Sequence, residues 1–163
     1  MSEAGTSAKK WLPSAWKDRM LSFNHQRPLR QDETVLIQAA AGGVGVAAVQ
    51  LARDRGATVI AVASGPERQS RLAKLGAAYV IERHVQDVVT EVRQSTNGKG
   101  ADPAIDPVGS TLEASFSALS PEGRLVFLGN AVEMIFVSTV PTYPKQPDAL
   151  WRLHGAFAGD ANG

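Results

Sequence analysis

The segment VLIQAAAGGVGVAAVQLA, from Val35 to Ala52, constrains the fold more than any other part of the chain. It begins as a short apolar run with β-branched residues, passes through a turn containing Gly42 and Gly45, and continues with apolar residues at helical spacing. A strand that leads through glycines directly into a helix is typical of the first βα unit of a dinucleotide-binding fold, where a pyrophosphate lies against the turn. The segment therefore predicts a parallel α/β fold that holds a nucleotide.

The turn AAGGVG differs from the G-x-G-x-x-G pattern at its first position, which is Ala40. An alanine there means that the backbone must make the turn without a positive φ at that residue. Gly42 would let phosphates approach the backbone, and Gly45 would let the helix pack closely on the sheet. Glycines in a helix of small residues can also serve packing alone, but their place between a strand and a helix favours dinucleotide binding.

Strand and helix patterns alternate from Thr34 onward, which predicts a doubly wound parallel sheet (Rossmann fold) in a single three-layer αβα domain. We expect the strand order 3-2-1-4-5, with a short sixth strand as a possible addition. The predicted strands are Thr34–Gln38, Thr58–Val62, Tyr79–Ile81, Ala101–Asp106 and Arg124–Leu128, and the predicted helices are Gly43–Arg55, Glu67–Leu75, Val85–Thr96 and Thr111–Leu119. Pro103 interrupts the fourth strand by removing one ladder donor.

The two ends of the chain do not continue this alternation, so the predicted nucleotide-binding domain is residues 26–140. In the extension formed by residues 1–25, an apolar stripe could make one amphipathic helix; its members are Leu12, Trp16, Met20 and Phe23. The tail formed by residues 141–163 has prolines in its first half and is irregular there, with a short last strand possible around Leu153–Phe157.

The composition excludes several classes of function. The chain has 17 basic and 16 acidic residues and lacks a long run of like charge, so it shows no electrostatic footprint for nucleic acid or an anionic membrane. It has no cysteine, and its three histidines, His25, His84 and His154, are scattered, so no metal site is predicted. No signal peptide or membrane-spanning segment is evident, and we expect a cytoplasmic protein with a small-molecule partner.

The end of the second predicted strand bears on which nicotinamide cofactor is bound. An NAD-binding fold usually has Asp or Glu about 20 residues beyond the glycines, but this chain has Ala63 and Ser64. The following residues provide the Ser64 hydroxyl and the Arg68 guanidinium, which can hold a 2′-phosphate. NADP(H) is therefore favoured over NAD(H), although Arg68 beside Glu67 could equally be an exposed helix charge.

Three segments make the chain recognisable: DETVLIQAAAGGVGVAAVQLARDRGATVIAVASG, KLGAAYVIERHVQDVVTEVRQSTNGKGADPAIDPVGS and GRLVFLGN. They resemble the cofactor-binding domain of the quinone oxidoreductase branch of the medium-chain dehydrogenase/reductases, in which an alanine is usual at the position of Ala40. The resemblance implies pyrophosphate contacts from Gly42, Gly43, Val44 and Gly45.

The same resemblance implies roles for residues near the two ends of the cofactor. Ser64 and Arg68 correspond to the family's serine and lysine around the 2′-phosphate. Arg83 stands where the family commonly has tyrosine, so it either replaces that contact or is solvated. Loops after the fourth and fifth strands would line the nicotinamide, and their residues are Asp106, Val108, Gly129 and Asn130. Asp106 has an equally strong alternative role, as a carboxylate that accepts backbone N–H bonds at the turn into the next helix.

Members of the resembled family carry a GroES-like catalytic domain before the cofactor domain, and residues 1–25 do not resemble it. We therefore expect either a part of a larger NADPH-dependent, zinc-free enzyme or a remnant of one. In the first case hydride passes from NADPH to a quinone or activated alkene, with help from a missing catalytic domain. In the second case the chain is a non-catalytic nucleotide-binding or interaction module. No catalytic residue can be assigned, and a homodimer joined at the sheet edge is expected.

Overall fold

The computed structural model describes residues 28–128 and 135–139. From the first strand to the fifth, strands and helices alternate along the chain, as the sequence predicts. The strands are β1 (Thr34–Ile37), β2 (Thr58–Ala63), β3 (Tyr79–Glu82), β4 (Ala101–Asp106), β5 (Leu119–Leu128) and β6 (Ile135–Thr139), and the helices are α1 (Gly43–Asp54), α2 (Pro66–Leu75), α3 (Val88–Ser95) and α4 (Leu112–Ser117). The predicted helical stripe in residues 1–25 and the predicted strand at Leu153–Phe157 lie outside the described residues.

The six strands form one sheet in the order β3-β2-β1-β4-β5-β6. The first five are parallel, which confirms the predicted doubly wound fold and its 3-2-1-4-5 order. β6 is antiparallel to β5 and lies at the edge of the described sheet. The order reverses between β1 and β4, and in open α/β sheets ligands bind beyond the carboxyl ends of the strands at that point.

The sheet has an apolar layer on each face because its strands are apolar on both sides. Alternate residues of β1 face opposite layers: Val35 and Ile37 pack in the layer that contains α1 and α2, and Leu36 packs in the layer that contains α3 and α4. Leu72 of α2 belongs to the first layer and Val92 of α3 to the second. The continuous apolar runs in the sequence are therefore explained by burial on both faces.

Two predicted boundaries of α3 and α4 were wrong. α3 begins at Val88 rather than Val85, because the Asp87 carboxylate caps the helix by accepting a hydrogen bond of 2.8 Å from the Thr90 N–H. The Thr90 hydroxyl and N–H lower the pKa of Asp87, which is consistent with an anionic cap. α4 ends at Ser117, and the chain is already in β5 at Leu119.

β5 begins five residues earlier than the predicted start at Arg124. Ala101 pairs with Leu119, but Pro103 pairs with Arg124, so the register shifts between these two pairs. The irregularity lies next to the one residue of β4 that cannot donate to the ladder, which explains how Pro103 is accommodated in a central strand. The Arg93 guanidinium fixes the start of β5 through hydrogen bonds to the carbonyl oxygens of Ser117 and Leu119.

A buried ion pair joins the two strands that flank β4. Arg124 of β5 donates to both carboxylate oxygens of Glu33, just before β1, at 2.8 and 2.7 Å. Both side chains are almost fully buried. Burial alone would raise the pKa of Glu33, but the hydrogen bonds from Arg124 and the Arg30 N–H, together with the charges of these arginines, leave the pKa below its ordinary value. Glu33 is therefore a paired carboxylate that ties the amino ends of the strands together.

Candidate functional site

The glycine turn lies at the carboxyl end of β1, beside the point where the strand order reverses. Its backbone is held by two hydrogen bonds of 2.9 Å, from the Ala40 N–H to the Val62 carbonyl and from the Gly42 N–H to the Ala39 carbonyl. Gly42 is the N-cap of α1 and no side chain caps it. The first turn of α1 contains no acidic residue. Its N–H groups, which have no acceptor within the helix, therefore form a site that favours an anion.

The three glycines of the turn have different surroundings. A Cβ at Gly45 would lie 2.5 Å from both the carbonyl oxygen of Ala39 and the Cα of Ala40, so the helix can approach the turn this closely only without a side chain. This is the packing role that the sequence predicts for Gly45. A Cβ at Gly42 would lie 3.3 Å from the Ala39 oxygen, and one at Gly43 would meet nothing within 4 Å. Gly43 therefore faces open space, where a ligand can approach the backbone.

The alanine at the first position of the motif, Ala40, makes the turn without a positive φ, as the sequence predicts. The preceding residue, Ala39, has a φ of 46°. A left-handed conformation costs a non-glycine residue on the order of 1 kcal/mol. This cost falls at the turn beside the proposed phosphate position, as is common where a backbone is shaped for a ligand.

The side chains predicted around the 2′-phosphate follow the ends of β2 and β3. Ala63 pairs with Glu82, so Ser64 and Arg83 leave the sheet at the same edge. The Arg83 N–H donates to the Ala63 carbonyl at 3.3 Å. Arg68 lies in the first turn of α2, and Arg68 and Arg83 are both exposed. The fold thus brings Ser64, Arg68 and Arg83 to the carboxyl ends of β2 and β3. Both arginines are exposed and have no buried structural role.

A carboxylate that the sequence reasoning missed lies among these residues. Glu82 Oε2 accepts hydrogen bonds from the Gly65 N–H at 2.7 Å and from the Gln69 amide at 2.5 Å. Its other oxygen accepts a weaker bond of 3.4 Å from the His84 N–H. The Gly65 N–H is the main cause that holds the pKa of Glu82 below its ordinary value, against partial desolvation. This region therefore carries the negative charge of Glu82, even though β2 itself does not end in a carboxylate.

Asp106 at the end of β4 has the structural role that the sequence left open. Its Oδ1 accepts from the N–H groups of Val108 and Gly109 at 2.9 and 3.1 Å. Its Oδ2 accepts from the hydroxyls of Thr111 and Ser115 at 2.7 and 2.8 Å. The carboxylate is fully buried. Because both oxygens are already occupied, Asp106 shapes the loop rather than offering an acceptor to a ligand.

The other residues predicted near the nicotinamide are only partly described. Val108 follows Asp106 with its side chain 44% exposed, as expected for a residue lining an open crevice. Gly129 and Asn130 lie outside the described residues. Gln38, which directly follows β1, is a further polar residue near the carboxyl ends of β1 and β4 that the sequence reasoning missed. It is 2% exposed, and its amide nitrogen has no hydrogen-bond partner among the described residues.

These features together fit a dinucleotide laid across the carboxyl edge of the sheet. The uncapped start of α1 and the open face of Gly43 fit a pyrophosphate. The exposed arginines beside Ser64 fit a phosphorylated ribose, and Val108 lies on the opposite side of the turn, where β4 ends. The described residues contain no cluster of three or more histidine, aspartate or glutamate residues that could hold a metal ion. Within the same ranges, no helix has the length and apolar character needed to cross a membrane.

The sequence from residue 43 to 148 matches the model of a protein family described as zinc-binding dehydrogenase. Among curated proteins, it is similar to 2-haloacrylate reductase from Burkholderia sp., with 40% identity over 104 residues, which is 63% of this chain and 31% of that protein. A probable quinone oxidoreductase from Schizosaccharomyces pombe is 42% identical over 105 residues, covering 64% of this chain and 31% of that protein. The chain thus spans about a third of the length of these relatives.

Solved structures agree with this likeness. The crystal structure of a 2-haloacrylate reductase superimposes with a TM-score of 0.67 at 31% identity, covering 90% of this chain and 42% of that one. The quinone oxidoreductase of Pseudomonas syringae pv. Tomato gives a TM-score of 0.65 at 33% identity, covering 70% of this chain and 35% of that one. At these identities the likeness extends beyond the fold to the family.

Proposed function

Because the chain belongs to the zinc-binding dehydrogenase family and is a quinone oxidoreductase-like domain of the medium-chain dehydrogenase/reductases, we propose that it is the NADP(H)-binding domain of a reductase. The observation that carries the proposal is the uncapped start of α1 behind a glycine turn, where Gly43 has open space and Gly45 has none. In this proposal the first-turn N–H groups of α1 hold the pyrophosphate, with Gly42, Gly43, Val44 and Gly45 in contact with it.

The residues that would contact each end of the cofactor are assigned from the strands that they follow. Ser64, Arg68 and Arg83 would hold the 2′-phosphate, because Ser64 follows β2, Arg83 follows the adjacent β3, and Arg68 lies in the first turn of α2. The loop fixed by Asp106, with Val108 exposed on it, would line the nicotinamide together with Gly129 and Asn130. The bound nicotinamide would supply the hydride, while these residues orient it and exclude water.

The acceptor that we propose is a quinone or an activated alkene, in keeping with the names of the relatives. We propose a zinc-free reaction, which is what the resemblance to the quinone oxidoreductase branch implies. We propose that the acceptor pocket requires a GroES-like domain supplied from outside residues 1–163, in a cytoplasmic enzyme. Mixing the chain with NADPH and a quinone should then give much slower NADPH oxidation than the same chain fused to such a domain; equal rates would contradict this proposal.

An alternative function is a nucleotide-binding or interaction module that does no chemistry. The observation that favours it is the occupied state of Asp106, which accepts four hydrogen bonds from its own loop and helix and so is not available as an acid or base. The fused protein distinguishes the two functions. Reductase activity in the fusion would support the enzyme, and cofactor binding without activity would support the module.

We also propose that the chain forms a homodimer through the sheet edge at β6. β6 pairs with β5 on one side, and no other described strand pairs with its second side. An edge strand presents unpaired N–H and C=O groups that a second copy can extend. Light scattering should give the mass of a dimer at micromolar concentration; a monomer at high concentration would contradict this.

The choice between NADP(H) and NAD(H) is tested by reversing one charge. In Arg68→Glu, a phosphate-directed guanidinium becomes a carboxylate that repels the 2′-phosphate, so the preference for NADP(H) should disappear. The loss should be about tenfold or more in NADP(H) affinity, with NAD(H) affinity nearly unchanged. Calorimetric titration of the unmutated chain and of Arg68→Glu with each cofactor measures this. Equal affinities for the two cofactors in the unmutated chain would refute the assignment.

A further inference from the structure

The carboxylate of Glu82 lies in the same turn as the proposed 2′-phosphate ligands. Glu82 ends β3, and its partner in the ladder is Ala63, the residue before Ser64. Its Oε2 accepts the N–H of Gly65, which is the N-cap of α2. The carboxylate is thus bonded to the residue that directly follows Ser64, at the start of the helix that carries Arg68.

The charge of Glu82 is held mainly by amide donors, with a smaller electrostatic contribution from His84. In the parts of the chain that the structure describes, its oxygens accept from the N–H groups of Gly65 and His84 and from the Gln69 amide. The Gly65 N–H also favours the ionised form, because it lowers the pKa of this carboxyl group. Amide donors leave the net negative charge in place, so its field extends into the turn around Ser64 and Arg68.

The geometry around Glu82 also fixes the turn itself. Gly65 has a φ of 86°, a conformation that favours glycine, and its N–H is directed to the Glu82 carboxylate. The backbone N–H of Glu82 donates to the Gln86 side chain at 2.7 Å, which holds the end of β3 in turn. The Gly65 N–H, which a phosphate could otherwise use as a donor, is therefore occupied. The negative charge of Glu82 lies beside the proposed position of the 2′-phosphate.

From this arrangement we propose that Glu82 is a cofactor-specificity residue, which weakens binding of the 2′-phosphate of NADP(H) relative to the 2′-hydroxyl of NAD(H). The inference rests on the proposed nucleotide function and deepens it. In this proposal Arg68 and Arg83 attract the 2′-phosphate, Glu82 opposes them, and the preference between the two cofactors is the difference between these effects. A 2′-phosphate is repelled by the carboxylate, while a 2′-hydroxyl carries no charge to repel.

The test is the ratio of the dissociation constants for NAD⁺ and NADP⁺ in Glu82→Gln, measured by calorimetry at low ionic strength. Glutamine keeps the shape, and its amide oxygen in the place of Oε2 can still accept both the Gly65 N–H and the Gln69 amide. The ratio should rise in favour of NADP⁺ by about three- to tenfold, as expected for removal of one nearby partly exposed charge. The rise should shrink as salt is added.

Three further variants separate charge from structure. Glu82→Asp keeps the charge with a shorter side chain and should leave the ratio near that of the unmutated chain, whereas Glu82→Ala removes the charge and should raise it even if both affinities fall. Glu122→Gln is the matched control, because this exposed residue lies in β5 near the amino end of the sheet, and it should not change the ratio.

The outcomes are distinct. An unchanged ratio in both Glu82→Gln and Glu82→Ala, or an equal rise in Glu82→Asp, would overturn the specificity role while leaving nucleotide binding intact. If the unmutated chain bound neither NAD⁺ nor NADP⁺, the proposed function would fail and this inference with it.

Discussion

Arg124→Met should lower the free energy of unfolding by about 3–5 kcal/mol, because it leaves the buried Glu33 carboxylate without the guanidinium that donates to both of its oxygens. The cost comes from an uncompensated buried charge rather than from loss of the attraction alone. Denaturant unfolding of the unmutated chain and the variant measures this loss. The slope of the free energy of unfolding against denaturant concentration should be the same in both, which would confirm that the unfolded state has not changed.

The matched control for this prediction is the double variant Glu33→Met, Arg124→Met. Replacing both partners by apolar side chains of similar size removes the pair without leaving a charge behind, so the double variant should recover most of the lost stability. A loss of less than about 1 kcal/mol in the single variant would mean that the pair is not buried as described.

The pH dependence of stability gives an independent check on the same pair. The pKa of Glu33 is lower in the folded chain than the ordinary value of a glutamate. Its contribution to stability is therefore fully present above the unfolded pKa and is lost as the pH falls through the folded pKa. The double variant should lack this part of the acid sensitivity.

Gly45→Ala should destabilise the fold by about 1–3 kcal/mol or more, although alanine normally favours a helix over glycine. The added Cβ would lie 2.5 Å from the carbonyl oxygen of Ala39 and the Cα of Ala40, and both of these are backbone atoms that cannot rotate away. Either the helix moves off the turn or the turn changes shape. Thermal and denaturant unfolding should both show the loss.

Gly43→Ala is the matched control, since it makes the same change two residues earlier in the same helix. A Cβ at Gly43 meets nothing within 4 Å, so this variant should be as stable as the unmutated chain or more stable by about 0.5–1 kcal/mol. Equal effects of the two substitutions would contradict the close approach of α1 to the glycine turn.

The sequence predicts the fold well because its signals are local. The alternation of strands and helices and the turn before α1 depend on neighbouring residues, and the predicted strand order is the one observed. The start of β5 was missed because Pro121 and Gly123 suggest a break, whereas the chain continues as a strand through an irregular register beside Pro103. That outcome depends on pairing with β4 and cannot be read from local residue preferences.

The site was predictable only where its residues follow one another in the chain. Gly42, Gly43 and Gly45 belong to a motif, and the close packing that the motif predicts for Gly45 is observed. Glu82 lies 17 residues from Gly65, and Arg124 lies 91 residues from Glu33, so these contacts depend on strand register. The position of Glu82 at the end of a strand next to β2 was the one sequence signal that could have found it.

The most direct test of the central claim, that the glycine turn holds the pyrophosphate, is calorimetric titration of NADPH and NADH into the unmutated chain and into Gly42→Val. The unmutated chain should bind NADPH with micromolar affinity. The valine methyl groups would occupy the space that the phosphates need, so affinity for both cofactors should fall alike, by about tenfold or more, in a variant that circular dichroism shows to be folded. Absence of binding in the unmutated chain, or undiminished binding in folded Gly42→Val, would contradict the account.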